Sequence, residues 1–90
     1  MYQLHAYADG RVQGVNFRYY VQRKASELNL VGYVRNLPDG RVEILAQGAK
    51  EDLEKLIAYV RSNPGISFVT ELVIDWEEPK GKFDSFKIRF

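Results

Sequence analysis

The spacing of apolar residues alternates between two periods along this 90-residue chain, and the order of these periods restricts the folds that it can adopt. Alternation at every second residue, which is typical of strands, covers residues 2–9, 31–37, 41–47, 67–77 and 86–90. Residues 17–29 and a segment that opens with Glu51 and Asp52 instead have apolar residues three or four positions apart, as helices do. The predicted order is therefore β-α-β-β-α-β, followed by a short C-terminal strand.

Each predicted helix has an apolar stripe on one side only. The stripes consist of Phe17, Val21, Ala25 and Leu28 in the first helix and of Leu53, Leu56, Ile57 and Val60 in the second. A helix with one stripe buries it against another layer, so we expect both helices to pack on one face of a single antiparallel sheet. This arrangement is the α+β, ferredoxin-like βαββαβ sandwich. We expect one domain over residues 1–90, because a chain of this length has apolar material for one core only.

The charges of the chain are nearly balanced, with 13 Lys and Arg against 12 Asp and Glu. Nucleic-acid binders usually carry a marked basic excess. RNA-recognition modules with this element order also place aromatic residues on the third strand, which here reads RVEILAQG and has none. We therefore expect no nucleic-acid partner.

The sequence contains no cysteine, which excludes disulfides, cysteine-based zinc sites and thiol catalysis. Its N-terminal segment, MYQLHAYADG, has no basic region followed by an apolar run. No apolar stretch approaches the ~20 residues that span a bilayer. We expect a cytoplasmic protein without a membrane partner, and nothing in the sequence requires more than a monomer.

The segment GRVQGVNFR, residues 10–18, joins the first strand to the first helix. Backbone N–H groups at the start of a helix have no intrahelical acceptor, and the helix dipole adds positive character there. Gly14 lets the backbone approach a ligand closely, and the guanidinium of Arg18 matches two phosphate oxygens. The segment therefore predicts a cradle for a monophosphate, although a surface loop with a solvated arginine has the same residue pattern.

Asn36 ends the second predicted strand, just before the turn Pro38-Asp39-Gly40. An amide side chain offers a donor and an acceptor, so it can hold a water molecule and direct one of its lone pairs. Asn is also common beside turns for structural reasons, and from the residues alone that alternative stays open. The single histidine, His5, lies within a strand, where we expect a strand-face residue and not a general base.

The segments GRVQGVNFR, GYVRN and DGRVEILAQG, with the final GKFDSFKIRF, together resemble the sequence pattern of the acylphosphatase family over nearly the whole chain. The resemblance implies an acyl phosphate substrate, a carboxylate and inorganic phosphate as products, and no metal or other cofactor. By position, it implies that Arg18 and Asn36 are the catalytic residues. The phosphate-binding backbone that it implies consists of Val12, Gln13, Gly14, Val15, Asn16 and Phe17.

The implied roles agree with the chemistry of these side chains. The loop amides and Arg18 neutralise the phosphoryl oxygens, and Asn36 holds the attacking water in line with the departing carboxylate. That carboxylate leaves unprotonated at neutral pH, so no strong base is needed. A non-catalytic anion- or partner-binding domain of the same fold is the alternative.

One position departs from the family pattern, because Asn16 stands where the family often has Gly or an aromatic residue. An Asn before a helix can cap it with its side chain and so compete with phosphate for a backbone donor. It can also take up left-handed backbone geometry as Gly does. We expect an active enzyme whose affinity for phosphate is somewhat altered.

Overall fold

The computed structural model describes residues 1–90, and its elements occur in the predicted order. The strands and helices are β1 (Tyr2–Arg11), α1 (Phe17–Glu27), β2 (Val31–Asn36), β3 (Val42–Gly48), α2 (Lys50–Arg61), β4 (Phe68–Glu77) and β5 (Phe86–Arg89). The largest differences from the predicted bounds are at residues 10 and 11, which continue β1, and at residues 28 and 29, which lie beyond the end of α1.

The extension of β1 depends on an irregularity at Gly10. The pairing of β1 with β4 shifts register between Asp9 and Gly10, and then continues to Arg11. Only glycine fits this position, because its φ is 119° and a Cβ would lie 2.2 Å from the carbonyl oxygen of Phe68. The loop that was predicted to begin at residue 10 therefore begins at residue 12.

The early end of α1 has a similar local cause. Asn29 has a left-handed φ of 59°. The N–H of Leu30 can then donate to the carbonyl of Ala25 at 2.9 Å, which satisfies a carbonyl at the end of the helix. The helix predicted to reach Asn29 therefore stops at Glu27, and the two residues after it form a turn.

The five strands form one sheet in the order β4-β1-β3-β2-β5. The first four pair antiparallel as predicted, whereas β5 lies beside β2 and runs parallel to it, so the sheet is mixed. Because β4 runs opposite to β2, the chain reverses its direction once as it crosses from one edge of the sheet at β4 to the other edge at β5.

Both helices pack on the same face of the sheet, and the ferredoxin-like sandwich is confirmed. The core between the layers contains alternate residues of the strands and the predicted helical stripes, namely Leu4, Ala6, Ala8, Val34, Val42, Ile44, Ala46, Phe17, Val21, Ala25, Leu53, Leu56 and Val60. The α1 helix contacts β2 and β5. A short turn joins the end of α1 to the start of β2, so the helix runs back along this strand and its first turn lies toward the strand's other end, at Asn36. Neither helix has the length and apolar character that crossing a bilayer would require.

The other face of the sheet carries a charged cluster around Glu43, whose side chain is only 6% exposed. The His5 ring lies 2.7 Å from one oxygen of this carboxylate, and Arg35 donates to the other. Burial raises the pKa of Glu43, but the hydrogen bonds with His5 and Arg35 outweigh it and hold the pKa below its usual range. His5 is thus a strand-face residue, as predicted, on the side of the sheet away from the helices.

We expect Glu43→Gln to lower the free energy of unfolding by about 2 kcal/mol at neutral pH, because it weakens two charge-assisted hydrogen bonds. The folded-state pKa of Glu43 lies below its unfolded value. The stabilisation is therefore complete above the unfolded pKa and disappears as the pH falls through the folded one. Urea unfolding at a series of pH values measures the difference between the two proteins, which should narrow on acidification.

The matched control is Glu54→Gln on the exposed side of α2, which should change stability little at any pH. Equal stability of wild type and Glu43→Gln at neutral pH would contradict the role given to the cluster.

Candidate active site

The loop between β1 and α1, residues 12–16, has the backbone geometry of an anion-binding turn. Gly14 and Asn16 both have left-handed φ angles, of 75° and 61°. The buried side chains of Val12 and Phe17 anchor its two ends in the core. Turns in which left-handed residues alternate with others curl their N–H groups toward one side, and such concavities bind anions.

The N–H groups of this loop are free to donate. The first hydrogen bond of α1 runs from Tyr20 N–H to the carbonyl of Asn16 at 3.1 Å. None of the backbone N–H groups from Gly14 to Tyr19 donates to another group of the chain. The loop and the first turn of the helix therefore offer a set of unpaired donors next to the positive end of a helix dipole.

Arg18 lies in the first turn of α1, and its side chain reaches the end of β5. One guanidinium nitrogen, Nη1, donates to the carbonyl of Arg89 at 3.1 Å. The guanidinium carbon lies 4.8 Å from the centre of the Phe90 ring. A guanidinium has five N–H donors, so this anchored side chain keeps most of them available for a ligand.

Asn36 is the last residue of β2, and its side-chain oxygen Oδ1 is buried without a hydrogen-bond partner. It is the only buried side-chain nitrogen or oxygen of the chain in that state. Leaving a buried acceptor unpaired costs about 1–3 kcal/mol. Such an atom in a native fold calls for an explanation, and a bound donor such as water provides one.

A single cavity of about 320 Å³ brings these groups together. Its lining contains six of the predicted site residues, Val12, Gly14, Asn16, Phe17, Arg18 and Asn36, and also Tyr19, Ile88 and Phe90. The two other predicted residues do not line it. The side chain of Gln13 bonds to the β2–β3 turn, and that of Val15 packs against the core.

Sequence reasoning missed Tyr19, Ile88 and Phe90, which form an apolar wall of the cavity. The alternation of β5 predicted that Ile88 and Phe90 share one face of a strand. Nothing in the sequence indicated that this strand lies beside β2, and therefore beside Asn36.

Asn16 has φ 61° and ψ 20°, and its side chain makes no capping hydrogen bond. Of the two alternatives, left-handed backbone geometry is the one that occurs. The Asn16 side chain does not bond to a backbone N–H, so it does not compete with phosphate for that donor. We expect Asn16→Gly to leave inhibition by inorganic phosphate unchanged. Asn16→Ala should destabilise the fold by about 1 kcal/mol, because a Cβ without the Asn side chain disfavours this region of backbone space.

Phosphate inhibition constants and urea unfolding of the two Asn16 variants test this expectation. A clear change of phosphate affinity in Asn16→Gly would bring back the capping alternative. Equal stability of Asn16→Ala and wild type would contradict the backbone argument.

Known proteins with similar sequences are acylphosphatases. The Acylphosphatase family model matches residues 4–88. The acylphosphatase of Methylococcus capsulatus is 46% identical over 88 residues, which cover 98% of this chain and 96% of that protein. The acylphosphatase of Acaryochloris marina is also 46% identical, over 85 residues that cover 94% of this chain and 90% of the relative.

The same likeness holds in three dimensions. The crystal structure of acylphosphatase from Bacillus subtilis superposes with a TM-score of 0.95 at 39% sequence identity, over 100% of both chains. The match extends over the whole sheet and both helices, and it includes the segments that carry the loop, Arg18 and Asn36. The chain therefore belongs to the acylphosphatase family.

Proposed function

We propose that the chain hydrolyses the carboxyl–phosphate anhydride bond of acyl phosphates in the cavity between α1 and the end of β2. Hydrolysis of phosphorus-containing acid anhydrides is the activity of its family. The observation that carries the assignment to this cavity is the buried, unpartnered Oδ1 of Asn36, which shares the cavity with Arg18 and with the loop. This arrangement supports catalytic roles for Arg18 and Asn36.

The phosphate group binds first, at the positive end of the cavity. The free N–H groups of residues 14–19 and the guanidinium of Arg18 hold its non-bridging oxygens. These donors are in place before the reaction begins, so they stabilise the charge that spreads over the oxygens in the transition state without reorganising. Phosphoryl transfer needs mainly such positioning and charge stabilisation.

Asn36 then holds the water. Its unpaired Oδ1 accepts a hydrogen bond from one O–H of the water molecule, which turns a lone pair of the water toward phosphorus, opposite the carboxylate that leaves. The leaving carboxylate is stable without a proton, and a phosphate oxygen can take the proton that the water loses. His5 takes no part, because it lies on the opposite face of the sheet with Glu43.

The acyl group meets the apolar wall of Tyr19, Ile88 and Phe90. The phosphate end of the substrate makes the specific polar contacts, so we expect a range of acyl groups to be accepted. We further propose that the protein works as a single domain and a monomer, in the cytoplasm and without a metal. One hydrophobic core that draws on the sheet and on both helices supports the single domain.

Hydrolysis of benzoyl phosphate tests the proposal, followed by ultraviolet absorbance in water enriched in ¹⁸O and in the presence of EDTA. We expect turnover, with the label in inorganic phosphate, because water attacks phosphorus. Label in benzoate would indicate attack at the carbonyl carbon and contradict the role of the cradle. Binding of inorganic phosphate without turnover would favour the non-catalytic, anion-binding alternative.

A further inference from the structure

Gln13 lies within the anion-binding loop, but its side chain is directed away from the cavity. Its amide nitrogen Nε2 donates to the carbonyl of Leu37 and to the carbonyl of Arg41, both at 2.9 Å. These two carbonyls belong to the base of the β2–β3 turn, which is closed by a 2.8 Å bond from Leu37 N–H to the carbonyl of Arg41. One side-chain amide thus joins the loop to both sides of the turn.

No other hydrogen bond links residues 12–17 to this turn. Asn36 immediately precedes Leu37, so the carbonyl that accepts from Gln13 belongs to the residue next to the proposed water-holding side chain. The loop is otherwise held by Val12, Val15 and Phe17, which pack in or against the core. The side-chain amide of Gln13 is therefore the one polar tie between the loop and the segment that follows Asn36.

We infer that Gln13 is a positioning residue, which sets the distance between the bound phosphate and the attacking water by tying the loop to the end of β2. The inference rests on the proposed function, because it assigns to Gln13 an effect that acts through Asn36. A misplacement of about 1 Å between reacting groups can cost roughly a hundredfold in rate. A tie with two hydrogen bonds to a strand end is suited to prevent such a displacement.

The test uses Gln13→Met, which keeps the length of the side chain and its lack of charge but has no donor. We expect kcat for benzoyl phosphate to fall by about 10- to 100-fold. Inhibition by inorganic phosphate should change by less than about threefold, because the loop amides and Arg18 remain. The matched control is Gln22→Met, since Gln22 also donates to a strand carbonyl, that of Phe86, but not near Asn36. Its kcat should stay within about threefold.

The decisive comparison repeats Gln13→Met in the Asn36→Ala background. If Gln13 acts through Asn36, its replacement there should lower kcat by less than about threefold, because the group that it positions is absent. An equal loss of kcat in both backgrounds would overturn the inference and make Gln13 a stabiliser of the loop only. A phosphate inhibition constant that rises as much as kcat falls would overturn it as well.

If Gln13→Met fails to fold, Gln13→Leu replaces it in the same comparison. This variant is also uncharged and has no donor, so the same outcomes decide the inference. A wild type without turnover would overturn the proposed function and this inference with it. An Asn36→Ala protein with unchanged kcat would overturn the role of Asn36 and this inference, but not the hydrolytic activity. If Asn36→Ala lowers kcat and Gln13→Met does not, this inference is overturned and the proposed function stands.

Discussion

Arg18→Ala is expected to lower kcat/KM for benzoyl phosphate by about a thousandfold, with losses in both substrate binding and turnover. Removing one preorganised donor of this kind typically costs roughly 100- to 1000-fold, and Arg18 supplies a full charge and several donors. The inhibition constant of inorganic phosphate should rise in parallel, because the product is held by the same group. Steady-state kinetics with phosphate as competitive inhibitor measure both effects.

Two variants serve as controls for Arg18→Ala. Arg18→Lys keeps the charge but loses the planar fork, so we expect an intermediate loss of roughly a hundredfold. Arg23→Ala removes an arginine of the same helix whose exposed side chain pairs with Glu27 at 3.7 Å, and it should leave the kinetics within about twofold. An Arg18→Ala protein within tenfold of wild type would exclude the proposed role of the guanidinium.

Asn36→Ala is expected to lower kcat by about a hundredfold or more while the inhibition constant of phosphate stays close to wild type. The substitution should not destabilise the fold, although it lowers kcat. The lost Oδ1 is buried and unpaired, so its removal breaks no hydrogen bond within the fold. The free energy of unfolding should therefore be unchanged or higher by up to about 1 kcal/mol. Kinetics and urea unfolding of the same preparation test both parts.

Asn63→Ala is the matched control for Asn36→Ala, because the Oδ1 of Asn63 accepts a hydrogen bond from Val69 N–H at 2.9 Å. The same substitution should there lower the free energy of unfolding by about 2 kcal/mol, because it removes this hydrogen bond and because Asn63 has a left-handed φ of 59°. It should leave kcat unchanged. A large loss of stability in Asn36→Ala would mean that its amide has a structural function. An unchanged kcat would remove Asn36 from the mechanism.

The positions of Arg18, Asn36 and His5 within their elements could be predicted, because they depend only on the sequence close to each residue. The change from alternation to helical spacing at Phe17 places Arg18 in the first turn of α1, and the turn residues after Asn36 place that residue at the end of β2. The alternation of β1 likewise predicts that His5 lies on a strand face. Each of these predictions needs only the period of the pattern and the residues that interrupt it.

What escaped prediction depends on pairing between distant segments. The four residues of β5 contain no information about which strand they join or in which direction, so the positions of Ile88 and Phe90 beside Asn36 were not foreseen. The hydrogen bonds from Gln13 to the turn could not be predicted for a related reason. A glutamine in a glycine-containing loop has many possible partners, and only the folded chain selects two carbonyls more than twenty residues away.

The contact between Arg18 and the carbonyl of Arg89 joins residues 71 positions apart, and this has a consequence for how the protein acquires activity. A chain with both helices and four strands in place, but with residues 86–90 undocked, would have a nearly native backbone and an unfinished pocket. Spectroscopic probes of secondary structure would register such a species as folded. The return of turnover during refolding therefore reports the docking of residues 86–90, which those probes would not detect.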